Sequence, residues 1–341
     1  MKNDKVGICV IGAGRAGMIH ARNFARLVSQ ARLVAVVDPV LAAAQSACAE
    51  LGITRYYTDI SECLRDDAID AVVVVAPTKF HREIVIASAD AGKHILCEKP
   101  MAMTVGECDE MIAATTRHSV KLQIGFMRRF DKNFAAARER IDAGEIGEVV
   151  QVRSITYGPS TPKSWMYDIS KSNGPLAEVN SHDIDTLRWY TGSEFKEVYA
   201  IGGNYRCPEA KLKFPDFYDN VLLSARFVNG MQGSIGGAQG VQYGYDSRCE
   251  ILGTKGIIFV GALEGRSVIS CTAGGMVRPI VNSWTNLFEE AYLAEDKHFI
   301  ECILEDKQPK VSGLDGRAAV EVVNAGNKSI AQRQPVKIGE V

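Results

Sequence analysis

The chain has no stretch of about 18 uncharged apolar residues, the length a helix needs to cross a bilayer, so no transmembrane helix is expected. Its longest apolar candidate, Ala71 to Pro77, fits a buried strand. The segment Met1 to Lys5 runs straight into an apolar stretch too short for a signal peptide, ending in glycines rather than a cleavage site. A cytoplasmic location is the expectation. An excess of one charge is also missing: 39 Lys and Arg against 41 Asp and Glu leave a net charge of −2. Nucleic acid and anionic membranes both require clustered basic residues, so neither is an expected partner. Cysteines at metal-ligand spacing are absent too. The nine present are scattered, with no CxxC and no Cys/His cluster, and read as reduced thiols. No metal is expected.

What is present is the composition of a soluble globular protein, 46% hydrophobic and 23% charged. A chain of 341 residues is too long for one core of ordinary size, and two domains are expected. Up to residue 126, short apolar runs alternate with helical stretches. Lys5 to Ile11, Arg32 to Val37, Asp70 to Ala76, Lys93 to Cys97 and Lys121 to Phe126 read as strands. Ala16 to Val28, Leu41 to Leu51, Phe80 to Ala91 and Thr104 to Arg117 read as helices, the last with Thr104 and Glu107 at capping-box spacing. Strands apolar throughout and separated by helices mean a parallel, doubly wound sheet covered on both faces. The pattern then changes. Residues 127–341 are mostly strand-like, with a hairpin signal at Asn229-Gly230 and helices near Leu176 to Tyr190, Leu287 to Leu304 and Leu314 to Ala331. This predicts an α+β domain with an open, mostly antiparallel sheet and helices on one face. Val221, Leu223 and Ala225 suggest an apolar side to that sheet, which invites burial against a second copy as a dimer or tetramer.

Gly12-Ala13-Gly14-Arg15-Ala16-Gly17 follows the first strand and opens a helix, and Asp38 ends the next strand 21 residues after Gly17. In that context the pattern is a dinucleotide fingerprint of a Rossmann domain. Gly12 permits the tight turn, Gly14 lets backbone approach a pyrophosphate, and Gly17 allows close helix–strand packing. The N–H groups at Arg15 and Ala16 and the positive end of the helix dipole face the phosphates. Asp38 should accept the adenosine ribose hydroxyls, which favours NAD over NADP; a helix cap before Pro39 is the competing role.

Further motifs follow in one order: His20; Ala76-Pro77-Thr78-Lys79-Phe80-His81; Lys93 to Pro100 with Glu98-Lys99-Pro100; Gly125 to Asp131; His182-Asp183-Ile184-Asp185; and Asp315-Gly316-Arg317-Ala318. Nearly end to end, this series resembles the glucose-fructose oxidoreductase/inositol dehydrogenase/rhizopine catabolism family (Gfo/Idh/MocA). The resemblance implies that Lys99 is the active-site lysine. Its place beyond a parallel strand supports this, since the carboxyl edge of such a sheet is where dinucleotides bind. Glu98 either orients Lys99 or binds cofactor ribose. Ala76, Pro77, Thr78 and His81 are assigned to the cofactor side, although His81 has no ligand pattern of its own. His182 matches the family's acid/base histidine, and the ordinary histidine pKa of about 6.5 suits moving a hydroxyl proton. Four residues earlier, where the family commonly carries aspartate, stands Glu178; on a helix the two positions share a face, so Glu178 can join the catalytic set by hydrogen-bonding His182 or the substrate. Asn180 and Asp185 read as capping or solvated residues. His20 is expected to pack near the phosphate turn, and His94, His118 and His298 have structural or solvent roles.

Two segments resemble the inositol 2-dehydrogenase-like branch: Phe126 to Asp131, with Met127 and Arg128 toward substrate and Arg129 in a surface salt bridge, and Gln242 to Asp246. Tyr243 and Tyr245 alternate and would share one face of a strand, lining the substrate pocket or forming a structural aromatic pair. Where the branch usually carries a His-Asn pair, this chain has Tyr157-Gly158-Pro159, followed by a loop whose Trp165 either covers the pocket or packs. The departure points to a broader sugar or cyclitol range. The expected activity is NAD-dependent oxidation of a secondary hydroxyl on a cyclitol or sugar. The alternatives are an NAD-retaining hydrolase or epimerase that oxidises its sugar transiently, and a non-catalytic NAD-binding sensor.

Overall fold

The structure, a computed structural model, describes residues 5–265 and 268–340. The chain forms two compact units, each discontinuous in sequence: residues 1–130 with 290–317, and residues 131–289 with 318–341. The expected cut after residue 126 differs from this in two places, because 127–130 and the late segment 290–317 belong with the first unit.

In the first unit, β1 (Val6–Ile11), α1 (Arg15–Arg26), β2 (Ala31–Val37), α2 (Leu41–Leu51), β3 (Arg55–Tyr57), α3 (Ile60–Leu64), β4 (Ala71–Val74), α4 (His81–Asp90), β5 (His94–Glu98), α5 (Val105–Arg117) and β6 (Leu122–Gly125) alternate along the chain. The six strands pair in parallel in the order β3-β2-β1-β4-β5-β6. That is the Rossmann order, with its reversal between β1 and β4 opening a crevice at the carboxyl edge. Every residue of β1 and β4 is buried, as the unbroken apolar runs require. Thr104 and Glu107 close the capping box that starts α5. The late helix Glu289–Leu304 belongs here because Phe299, Ile300 and Ile303 pack into the same core as Phe24 of α1 and Val10 of β1.

The second unit contains α6 (Lys132–Asp142), β7 (Val149–Gly158), α7 (Ile169–Ser172), α8 (Gly174–Glu178), α9 (Ser181–Thr191), β8 (Phe195–Gly203), β9 (Asn220–Phe227), β10 (Gln232–Gln239), β11 (Asp246–Gly253), β12 (Ile257–Val260), β13 (Ser270–Thr272), β14 (Gly275–Val277) and α10 (Trp284–Leu287). The helix Glu289–Leu304 is α11, and α12 (Gly313–Gln332) and β15 (Val336–Lys337) follow. Strand order in the large sheet is β12-β11-β7-β10-β9-β8-β15. Asn229-Gly230 turns β9 into β10 as predicted, with Gly230 at φ 90°. The sheet is mixed rather than wholly antiparallel, because β7 and β10 run parallel at its centre. The strand expected over Ser267 to Thr272 is observed from Ser270; Ser267 lies outside the described residues.

Three expectations need correction here. The helix expected over Leu176 to Tyr190 is two helices broken at Val179-Asn180, so α8 and α9 do not put Glu178 and His182 on one continuous face. The cause is local. The backbone N–H of Asn180 turns back to Pro175 O at 3.2 Å, and its side chain is drawn to Asp183. Tyr243 and Tyr245 precede β11 rather than alternate within a strand. Gly244 has φ +125°, the Tyr245 N–H bonds Val281 O at 2.7 Å, and Tyr245 is buried against Phe288 while Tyr243 is exposed. Finally, Val221 and Leu223 are buried inside the unit; the face turned to solvent carries Ile201, Leu222 and Phe259 instead. Period-two alternation says that a strand has two faces, not which one is covered.

Candidate active site

The phosphate turn has the shape its glycines predict. A Cβ on Gly12 (φ +108°) would lie 2.7 Å from Val75 O, and one on Gly17 would lie 1.9 Å from Gly12 O. Gly14 is the opposite case: nothing lies within 4 Å of its missing Cβ. It caps α1 in an extended conformation with no side-chain hydrogen bond, and no acid occupies the first turn with Arg15 and Ala16. Open space in front of N–H groups at a positive helix end fits a dinucleotide pyrophosphate. Asp38, partly exposed at the end of β2, accepts Ala13 N–H at 2.9 Å and Val40 N–H at 2.9 Å. The residue capping α2 is Val40, so Asp38 is not its N-cap. Instead it ties the glycine turn to the strand end.

At the same sheet edge, Ala76 and exposed Pro77 lead into buried Thr78. His81 is buried, with Nδ1 2.9 Å from Pro100 O and Nε2 2.7 Å from Ala76 O. Burial lowers its pKa. One ring nitrogen donates to a backbone carbonyl while the other faces the second carbonyl, so His81 is wedged between the two edge loops. Lys99 follows β5, half-buried, before a cis bond to Pro100. Glu98 beside it is 5% exposed. Its Oε2 accepts the Lys99 backbone N–H at 2.9 Å and its Oε1 lies 3.3 Å from His20 Nε2. Both oxygens are occupied by protein, which favours orientation of Lys99 over ribose binding.

Behind Glu98 lies a buried cluster. His20 Nδ1 is 2.7 Å from Asp296 Oδ1, and Asn23 donates to Asp296 Oδ2 at 2.8 Å. Glu295 faces the same pocket. Ligand atoms of His20, Glu98 and Glu295 lie within 4.8 Å of one another. Burial opposes charge on His20, but the Asp296 and Glu98 carboxylates outweigh it and hold its pKa well above the usual value. Asn23, Glu295 and Asp296 were not foreseen. Their signal was faint: two acids on a helix whose apolar positions Tyr292, Phe299 and Ile300 share their face.

Met127 and Arg128 are both buried in the 3₁₀ turn Met127–Phe130. Arg129 pairs with Asp315 at 3.0 Å in a largely buried salt bridge, not a surface one.

In the second unit, His182 is 6% exposed in the first turn of α9. The adjoining Asp183 is fully buried and accepts from Ser154 Oγ, from Thr156 Oγ1 at 2.8 Å and from Asn180 Nδ2 at 2.8 Å. Three donors on one carboxylate fix the start of α9 against β7 and so fix the backbone that carries His182. Sequence reasoning missed this role, although Ser154 and Thr156 are polar at alternate positions on the inner face of β7. Glu178 is half-buried at the end of α8. Tyr157, half-buried on β7, has its pKa raised by burial and then by Asp246. Tyr243 donates to Asp246 at 3.0 Å, and Arg248 grips the same carboxylate at 2.7 and 3.0 Å. Trp165 is 40% exposed in a 3₁₀ turn, Ser164–Tyr167.

A Rossmann sheet with an open phosphate turn, an acid at the second strand and a lysine beyond the fifth defines a nicotinamide-dependent oxidoreductase acting on CH–OH groups. Comparison with known proteins agrees. Residues 6–126 match the model of the oxidoreductase family with an NAD-binding Rossmann fold, and residues 134–259 match the GFO/IDH/MocA C-terminal domain. The chain belongs to the GFO/IDH/MocA oxidoreductase family. It is 35% identical to scyllo-inositol 2-dehydrogenase (NAD+) of Bacillus subtilis, over 98% of this chain and 96% of that one. It is also 35% identical to myo-inositol 2-dehydrogenase of Thermotoga maritima, over 98% and 99%. The crystal structure of Lactobacillus casei scyllo-inositol dehydrogenase with bound NAD(H) and scyllo-inositol superimposes with a TM-score of 0.91 at 28% identity, covering 98% of this chain and all of that one.

Proposed function

We propose that this chain oxidises a secondary hydroxyl of an inositol-like cyclitol to a ketone, with NAD as hydride acceptor. The observation that carries the reading is Lys99, half-buried at the carboxyl edge of the Rossmann sheet and held through its backbone by Glu98. The named activities of the relatives supply the substrate class. In this reading the first unit holds NAD, and the second carries residues suited to a polyol. When bound, NAD provides the nicotinamide carbon that receives the hydride. The Lys99 ammonium donates to the reacting oxygen and stabilises the developing alkoxide. The His182 ring takes the hydroxyl proton, with its backbone fixed by Asp183. Glu178, Tyr157, Tyr243 and Trp165 offer carboxylate, phenol and ring surfaces to a polyhydroxylated ligand. Tyr245, buried against Phe288, is left out of the substrate contacts.

The outer sheet face, with Ile201, Leu222 and Phe259 exposed, is suited to burial against a second copy, so a dimer or tetramer belongs to the proposal. So does a cytoplasmic location, in keeping with nine cysteines that form no disulfide among the described residues. No helix among the described residues is long and apolar enough to cross a membrane.

The test is a pair of variants, Lys99→Ala and His182→Ala, assayed for NADH formation on inositols. Each should lower kcat by about 100-fold or more while NAD affinity stays within a few-fold. Parent-like turnover in either variant refutes the assignment of that residue.

A further inference from the structure

We propose that His20 and Asp296 are positioning residues for Lys99, acting through Glu98. This rests on the reading of Lys99 as the catalytic ammonium.

The argument starts with connectivity. Asn23, Asp296, His20, Glu98 and the Lys99 backbone N–H form one line of hydrogen bonds, at 2.8, 2.7, 3.3 and 2.9 Å. The line begins on α1, crosses to α11, returns to α1 and ends at the tip of β5. Every side chain in it is buried. Each nitrogen of the His20 ring faces a carboxylate oxygen, an arrangement that the two N–H groups of an imidazolium satisfy and that holds the ring's pKa above its usual value. One carboxylate of the pair neutralises it, and the other is Glu98. Charge-assisted bonds of this kind are short and directional, and their geometry passes to whatever the last acceptor holds. Here that is the peptide bearing Lys99.

The choice of residues also follows. A hydrophobic residue at 20 would fill the space, but Glu98 would then lose its partner on one oxygen. Tyr292 meets the His20 ring edge-on, with centroids 5.4 Å apart, and fixes its plane. Glu295 is fully buried, and neither of its oxygens has a hydrogen-bond partner among the described residues. A neutral, protonated carboxyl is the form that such a place accepts, so the cluster holds one cation beside two anions and one neutral acid.

A double-mutant cycle separates positioning from mere structure. His20→Leu should lower kcat by tenfold or more, with KM for NAD within twofold. In combination with Lys99→Ala it should add no further loss, because a residue that acts through Lys99 has nothing left to act on. Should His20→Leu not fold, Asp296→Asn removes a charge but no volume and carries the same two expectations. Parent-like kcat in the single variants, or losses that multiply with Lys99→Ala, overturns the proposal. If Lys99→Ala itself turns over normally, the catalytic reading fails instead, and the two failures are told apart. The cluster also has the spacing of a metal group, so Mg²⁺, Mn²⁺ and Zn²⁺ are each added to thermal melts. No shift is expected; a melting temperature raised by an ion in the parent but not in Glu295→Gln makes this a metal site and overturns the positioning role.

Discussion

Replacing Glu295 by Gln tests the charge assignment of the buried cluster through stability alone. Glu295 is fully buried, and its pKa stands well above the ordinary 4.5, first through burial, then through the neighbouring Glu98 charge, with His20 opposing and Asp296 adding to the rise. Above pH 4.5 the unfolded chain loses this proton while the folded protein keeps it. The folded state then binds more protons, so stability falls as pH rises, by about 1.4 kcal/mol per pH unit for one proton. His20 acts with the same sign from pH 6.5 upward: its raised pKa gives stability that is complete below 6.5 and fades as pH climbs through the folded value. Glutamine has no proton to lose. The unfolding free energy of Glu295→Gln, minus that of the parent, should therefore grow as pH rises above 4.5, at up to about 1.4 kcal/mol per pH unit for as long as the folded parent holds its proton. Taking the difference cancels the other titrating groups. All three tryptophans lie in residues 131–289, so urea unfolding is best followed by far-ultraviolet circular dichroism rather than tryptophan fluorescence. A difference that is flat with pH, or that shrinks, refutes a protonated Glu295.

Two other substitutions address the cofactor side. Gly17→Ala places a methyl group 1.9 Å from Gly12 O; NAD affinity measured by calorimetry should fall by more than about tenfold, and unchanged affinity would mean that the turn is not the phosphate site. Asp38→Ser removes the carboxylate that a 2′-phosphate would meet; the ratio of kcat/KM for NADP over NAD should rise by about tenfold or more, and an unmoved ratio removes Asp38 from cofactor choice.

The two halves of the molecule were unequally legible. In the first unit, burial on both sheet faces writes itself into unbroken apolar strands, and the glycines of the phosphate turn announce a backbone that must come close to something. Most elements could be read there with small errors at the ends, but the short, largely exposed β3 and the five-residue α3 were missed, since no apolar run marks either. The second unit depends on pairings that local pattern does not encode. Nothing in Val149 to Gly158 or Gln232 to Gln239 says that these strands run side by side in the same direction. Nor does helical spacing around His182 reveal that Asn180 gives up the helix to reach Asp183. The alternating tyrosines failed for a related reason: a single positive-φ glycine between them undid the period. The buried cluster was hardest. His20 looked like packing because the acid that charges it lies 276 residues away.

That separation has a consequence for how the protein can be made and cut. A fragment ending at residue 130 contains all six Rossmann strands and the entire nucleotide turn, yet it lacks Phe299, Ile300 and the counter-charge of His20. A chain stopped before residue 289 should leave the nucleotide-binding fold unfinished, with the apolar flank that Phe299 and Ile300 cover left open. Proteolytic or genetic excision of the first 130 residues should therefore yield an aggregation-prone fragment, and only a graft that restores the helix at 289–304 can complete it.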